Sequence, residues 1–508
     1  MDKYSGNSPY GNRPLNSKLD EEKTPYVEVD GSSPDRSPSR GTFIRTQINE
    51  RKLIWKIDLS ILPILFAAYF LQFLDKVIYN YSNVMGIQKD LKLKPNDFTW
   101  GATAFFIGYA FAEIPQGFLL QRYNVSKVLG GNIFFWGIVT ACTAAVQNGT
   151  QLIALRTLLG CCEAVITPAL IMLTSAWYQK DESAPRFGFW YCGLGAGQII
   201  GGLISYGAQI HAKASSFQGW RIMFICIGFI NVLVAMTIWV WLPATPEEAS
   251  FLSHDEKEVI AQRLHEDHSG LGAKKLRPRS IMETFLDLQT WLLCLLTILN
   301  VIPSGVITTY SAILIKNFGY TAPQAALLNM PSGVVSIICL MGSTWIITKG
   351  YQRWAAIIGA LCVTLLGACL MSFAPKTNHA ALLAGIYLVN AAVAPYALIL
   401  ATAGANYRGY TRKVAGGSII AAAFSIANII GPQTFQAKDA PNYYPAKVAL
   451  VSTTAAAIVV AILLRFLYGY RNHRADQLGE PAMSHVEAKA VRGRTSVDFA
   501  DPDYRYAY

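Results

Sequence analysis

Charge is scarce in this sequence. Of its 508 residues only 15% are Asp, Glu, Lys or Arg and 52% are hydrophobic, where a soluble domain carries about 25% charged residues. That shortage argues against a soluble protein. Motifs for covalent and metal chemistry are lacking too. The nine cysteines (142, 161, 162, 192, 226, 294, 339, 362 and 369) form no C-x-x-C and no Cys/His ligand spacing. Neither zinc nor a disulfide framework is expected, and the thiols read as buried small apolar filler. The glycines of 193–202 follow no strand, which argues against a nucleotide-binding loop. With no ligand cluster, nucleophile–base arrangement or phosphate loop, neither an enzyme nor a bound cofactor is expected.

What the chain has instead is long apolar runs. They lie near 57–79, 98–121, 128–147, 151–177, 187–209 and 220–242, then near 288–313, 324–348, 354–374, 380–404, 412–436 and 445–469. Each is long enough to span a bilayer as a helix. The expectation is an all-α membrane protein of twelve transmembrane helices in two six-helix bundles. Residues 51–242 and 288–471 form the bundles, and 243–287 a central linker. Residues 1–50 and 472–508 are polar tails, expected to be disordered, with no signal peptide. Within the linker Glu247–Asp267 reads as an amphipathic surface helix.

The net charge is +11, from 43 basic against 32 acidic residues. Nucleic acid is not the expected partner, because the basic residues collect in alternate loops. Arg51 and Lys52 precede the first run, Arg122 follows the second and Lys180 the fourth; Lys274, Lys275, Arg277 and Arg279 lie in the linker. The positive-inside rule then puts these loops and both termini in the cytoplasm. Lys89, Lys92 and Lys94 are exceptions. Sequons at Asn80, Asn124 and Asn148 carry little information, being cytoplasmic or too close to the membrane.

Four ionisable residues sit inside the apolar runs: Asp75, Lys76, Arg156 and Glu163. Each costs about 3 kcal/mol at the bilayer centre, so they should pair, face a cavity and mark the path of an ion or substrate. A transporter is the first reading. Arg156 and Glu163 lie two helical turns apart on one face, too far to pair along their own helix. Pairs to the first helix are expected instead, such as Arg156–Asp75 and Lys76–Glu163. A carboxylate that burial and a neighbouring cation pull in opposite directions suits proton coupling. The two cations suit an anionic substrate.

Several stretches together resemble the fungal allantoate permease family, in the anion:cation symporter group of the major facilitator superfamily. They are IDLSILPILFAAYFLQFLDK (57–76), GYAFAEIPQGFLLQR (108–122), RTLLGCCEAVITPA (156–169), WYQKDESAPR (177–186), GWRIMF (219–224) and NIIGPQTFQAKDAPNYYPAK (428–447). The resemblance covers about 51–474 and implies the major facilitator fold, with substrate held between the halves. It implies proton-coupled uptake of a small organic anion, ureide-like or vitamin-like, such as allantoate, ureidosuccinate or nicotinate. Asp75 and Glu163 would couple protons, and Lys76 and Arg156 would hold the anion. Tyr109, Gln198 and Asn428 would be substrate contacts, with Asn390 and Asn406 further candidates; Glu113 reads as structural. The energy source would be the proton gradient, and the protein a monomer in the plasma membrane. Two departures stand out. The superfamily's Asp-Arg pair after its second helix reads Gln121-Arg122, and the family's usual Asp-Arg in the first helix is Asp75-Lys76. An exporter in the same fold and a non-transporting sensor are the rival readings. His211 and His379 fall in predicted outer loops, and neither is given a proton-relay role.

Overall fold

The structure is a computed structural model that describes residues 48–212, 218–268, 278–375, 377–407, 409–439 and 443–478. Residues 1–47 and 479–508 of the tails, and Lys274, Lys275 and Arg277 of the linker, lie outside the described residues, whereas 472–478, expected in the disordered tail, continue the last helix to Leu478. Among the described residues twelve helices are long and apolar enough to cross a membrane. In the first half these are α1 Glu50–Val84, α2 Asp97–Arg122, α3 Val125–Thr143, α4 Gly149–Trp177, α5 Pro185–His211 and α6 Gly219–Trp241. In the second they are α7 Leu288–Asn317, α8 Ala322–Ile346, α9 Arg353–Phe373, α10 His379–Asn406, α11 Thr411–Gln433 and α12 Tyr444–Arg474. The halves meet where α1 packs on α7, α2 on α11 and α5 on α8.

Several spans are interrupted where the sequence interrupts them. α4 breaks between Glu163 and Ile166. Pro168 has no N–H to return to the Ala164 carbonyl, so the ladder lapses just after Glu163. α8 breaks at Asn329–Met330, before Pro331, for the same kind of reason. The sequon asparagines have structural work: Asn124 and Asn148 cap α3 and α4, and Asn80 is buried.

The linker differs from its sequence reading. Its helix runs His254–His268 rather than from Glu247, and Pro246–Glu248 is a short 3-10 turn. The reason is a capping box. The Ser253 amide donates to the Glu256 carboxylate (2.8 Å) and the Glu256 amide to the Ser253 hydroxyl (3.2 Å). Phe251 therefore precedes the helix and stacks on Trp177, with ring centroids 5.9 Å apart. Lys56–Glu256 (2.7 Å) and Arg263–Glu182 (2.8 Å) tie this helix to the first half. A second linker helix, Pro278–Leu286, is tied to the second half by Arg412–Glu283 (2.6 Å).

The cysteines also differ from expectation. None of the nine is buried within the protein, and Cys142, Cys226 and Cys362 are exposed. A membrane protein presents an apolar outer surface, so a small apolar thiol there is covered by lipid rather than by protein. His211 and His379 stand exposed at helix ends, not in loops.

Candidate functional site

α1 brings Gln72, Asp75, Lys76 and Tyr79 to the centre of the first half. Asp75 and Lys76 are adjacent in sequence and so project about 100° apart around the helix. Asp75 accepts from Arg156 Nη1 at 2.9 Å and from the Thr140 hydroxyl at 3.5 Å. Lys76 Nζ donates to Glu163 Oε2 at 2.5 Å and to the Gln72 carbonyl at 3.0 Å. Both cross-pairs expected from the spacing of Arg156 and Glu163 are made.

α2 packs tightly enough on α4 to wall this group in. A β-carbon on Gly160 would overlap the Phe105 carbonyl oxygen, and one on Gly108 would overlap that of Thr157. The close crossing sets aromatic rings against the cations. The Arg156 guanidinium lies 4.1 Å from the Tyr79 ring centre and 4.9 Å from that of Phe105, and Lys76 Nζ lies 4.8 Å from Phe105. Such contacts add up to about 2 kcal/mol each when desolvated. Asp75 and Glu163 are wholly buried and Arg156 is 2% exposed.

Beside this group lies a cavity of about 90 Å³ whose wall comes from both halves. Of the residues expected to touch substrate, it brings together Lys76, Tyr109 and Asn428. Lys76 is the one charged residue in the wall among the described residues. Arg156 and Gln198 do not reach it. Gln198 packs instead against Gly333 at the crossing of α5 and α8. Asn390 donates to the Ile386 carbonyl (2.8 Å), Asn406 is buried, and neither it nor Glu113 lines the cavity. Gln121 and Arg122 are exposed.

Sequence reasoning missed the other polar groups of the wall, chiefly Gln72, Ser304, Thr308 and Tyr396. Gln72 stands one turn before Lys76, a spacing that was there to be read. A larger cavity of about 440 Å³ lies between α7, α9 and α12 of the second half. It is lined by none of the buried charges, so the site is placed at the smaller cavity.

At the membrane face opposite the linker, hydrogen bonds join the two halves. Asn80 donates to the Ser311 hydroxyl (2.7 Å), Thr99 and Tyr310 share a hydrogen bond (2.6 Å), and Gln433 donates to Thr103 (2.8 Å). Aromatic rings continue the seal. Tyr79 stacks on Phe98 (4.3 Å) in the first half, and Phe98 meets Tyr310 across the divide (6.0 Å). In the second half Tyr310 stacks on Phe435 (4.3 Å), which stacks on Tyr443 (3.9 Å).

Comparison with known proteins agrees with this architecture. The profile of the Major Facilitator Superfamily matches residues 65–432. The allantoate permease of Saccharomyces cerevisiae is 34% identical over 473 residues, covering 91% of this chain and 87% of the permease. The thiamine pathway transporter THI73 of the same yeast is 32% identical over 462 residues, 90% of this chain and 86% of its own. Among solved structures, a D-xylose-proton symporter superposes with a TM-score of 0.61 at 14% identity, covering 81% of this chain and 97% of that one. That likeness concerns the fold alone. The chain is a multi-pass membrane transporter, not an enzyme, and it belongs to the major facilitator superfamily, in the branch that holds the fungal allantoate permease.

Proposed function

We propose that this protein is a secondary active transporter that takes up a small organic anion together with protons across the plasma membrane. One observation carries the reading: the Lys76–Glu163 ion pair stands at the wall of the central cavity, with the cation lining it. A buried ion pair contributes little net stability, since desolvation offsets the attraction. One placed against a cavity between two halves has a use beyond stability. Protonation of the carboxylate frees the ammonium for a substrate anion, and deprotonation takes it back.

In this scheme Glu163 accepts the proton, Lys76 holds the substrate carboxylate, and Tyr109 and Asn428 orient the rest of the molecule. Asp75, a second coupling carboxylate by its chemistry, is neutralised by Arg156, which acts on substrate only through that pair. The substrate class is a ureide-like or vitamin-like carboxylate such as allantoate, ureidosuccinate or nicotinate. The name of the yeast allantoate permease supports it, as does the Lys76 ammonium in the wall. The basic loops support a cytoplasmic linker face by the positive-inside rule, and on that reading the sealed face is the outer one. The protein works as a monomer, with substrate, protons and lipid as its partners.

The test is an uptake and growth screen of a strain lacking the gene, across small carboxylates and ureides at several pH values. Uptake that requires the gene and rises as the medium is acidified is the expected result. Outward flux without pH dependence would favour an exporter, and binding without accumulation a sensor.

A further inference from the structure

We infer that the four buried charges divide into a fixed pair and an exchanging pair, so that one proton travels with one monovalent anion and no net charge crosses. The inference rests on the proton-coupled reading above and narrows its substrate class.

The two pairs are built differently. Asp75 is closed in by Arg156 and Thr140, while the Arg156 guanidinium is closed in by Tyr79 and Phe105. Neither residue of this pair lines the cavity. Glu163 is as deeply buried, but its Oε2 is held by Lys76 while its Oε1 has no hydrogen-bond partner among the described residues. Lys76 in turn forms part of the cavity wall, with its side chain 15% exposed. The groups facing Glu163 are Lys76 and Asp75 from α1, Arg156 on its own helix, and the Tyr109 phenol from α2. Of the two carboxylates, Glu163 therefore has both an open acceptor atom and a partner in reach of substrate.

Charge balance supplies the rest. With all four groups ionised the two cations and two carboxylates cancel, and an anion arriving in the cavity meets a lysine already held. A proton on Glu163 Oε1 leaves the Lys76 ammonium uncompensated, and the carboxylate of a monoanion balances it. Release of the anion and then of the proton at the other face restores the pair. Empty and loaded sites are both neutral, so neither turnover step carries an unbalanced charge through a low-dielectric interior. A dianion would leave one buried charge unmatched. A second proton would have to sit on Asp75 and strand a buried arginine. Among the described residues, the polar groups that the second half adds to the wall are uncharged, including Ser304, Thr308, Tyr396 and Asn428. These suit the neutral, hydrogen-bonding end of a small monocarboxylate.

The test uses the full chain in liposomes, with labelled allantoate and nicotinate as monoanions and ureidosuccinate as a dianion. Membrane potential is clamped with potassium and valinomycin while an acid-outside pH gradient is imposed. The expected result is pH-driven accumulation of a monoanion that does not change with an inside-negative potential, and uptake of ureidosuccinate lower by at least about tenfold. Glu163→Gln protein, shown competent by exchange of labelled for unlabelled substrate, should lose pH-driven accumulation entirely. Accumulation that grows with potential in the wild-type protein overturns the inference and leaves the transport reading standing. So does pH-driven accumulation that persists in Glu163→Gln, which would place a coupled proton on a second carboxylate. Absence of pH-driven uptake of either monoanion by the wild-type protein overturns the proton-coupled reading itself.

Discussion

Asn80 of the first half donates to the Ser311 hydroxyl of the second at 2.7 Å, and both residues are buried. Asn329, at the break in α8, donates to the same hydroxyl at 2.8 Å, and the Ala312 amide returns a hydrogen bond to Asn80 Oδ1 at 3.3 Å. Of these, the Asn80 bonds cross the line where the halves must part, while Asn329–Ser311 lies within the second half. Ser311→Ala removes the acceptor that Asn80 reaches across the divide, while Asn329 keeps the Tyr81 hydroxyl at 3.3 Å. Each buried unsatisfied group costs about 1–3 kcal/mol, and the loss falls on the state with this face closed. Spin labels at Lys89 and Lys438, both exposed near this face, should show the open population rising at least about tenfold. An unchanged distance distribution would make the cluster mere packing.

Asp75 and Asp58, both on α1, should differ sharply in what their loss costs. Asp75→Ala leaves the Arg156 guanidinium buried without its ion partner, a loss of about 3–5 kcal/mol. Asp58 makes a two-pronged pair with Arg186, both bonds 2.8 Å, but each side chain keeps some exposure. Asp58→Ala should therefore cost much less, since water re-solvates the freed arginine. Thermal unfolding in detergent measures both. Equal losses would contradict the burial argument.

Lys76→Arg restores the residue usual in the resembled family, and its effect follows from shape. A planar guanidinium offers Glu163 a fork of two hydrogen bonds where the ammonium offers one point of charge. The pair should tighten and release its cation to substrate less readily. The expected result is a higher KM by several-fold, with protein yield and thermal stability preserved. A lower KM would show that the arginine reaches substrate without leaving Glu163.

How far the sequence reveals all this depends on the residue. The cross-pairing of α1 with α4 follows from helical geometry, because residues seven apart share a face and adjacent residues do not. The cavity wall is harder to read. Thr308 and Ser304 are hydroxyls in an apolar helix, and such groups commonly bond the carbonyl one turn back, as Thr309 does to Gly305. Nothing local marks which of them points to a cavity. Gln198 sits among family-like glycines and has the look of a substrate contact, but the helix crossing those glycines create is what covers it. Asn80 shows the opposite case. Its sequon draws attention to glycosylation, while its partner Ser311 lies 231 positions away, beyond any spacing rule.

The linker supplies a pH test outside the membrane. Arg412 Nη2 donates to Glu283 at 2.6 Å and Arg279 Nε at 3.2 Å. The Arg412 hydrogen bond, aided by both positive charges, holds the Glu283 carboxyl below the usual glutamate range. The folded value lies below the unfolded one. This tie is thus fully present above the ordinary pKa, about 4.3, and is lost as pH falls through the folded value. Hydrogen exchange in Pro278–Leu286, corrected for intrinsic rates, should stay flat from neutral pH to that range and rise below it. Glu283→Gln should raise exchange at neutral pH and remove the acid step.

Two glycines, one on α2 and one on α4, make opposite predictions from the same chemistry. Gly160 faces the Phe105 carbonyl so closely that a methyl group cannot fit unless α2 moves, and backbone cannot yield as a side-chain tip can. Gly117 has nothing within 4 Å of where its β-carbon would lie. Gly117→Ala should be neutral or stabilising by up to about 1 kcal/mol, the helix-propensity difference. Gly160→Ala should destabilise by about 1–3 kcal/mol through overpacking. It should also push α2 from α4 and carry Phe105 and Tyr109 away from Lys76. Transport should therefore fall further than stability in Gly160→Ala, read as uptake per correctly folded molecule. Uptake that merely tracks the folded fraction would show that the close crossing shapes the bundle and not the site.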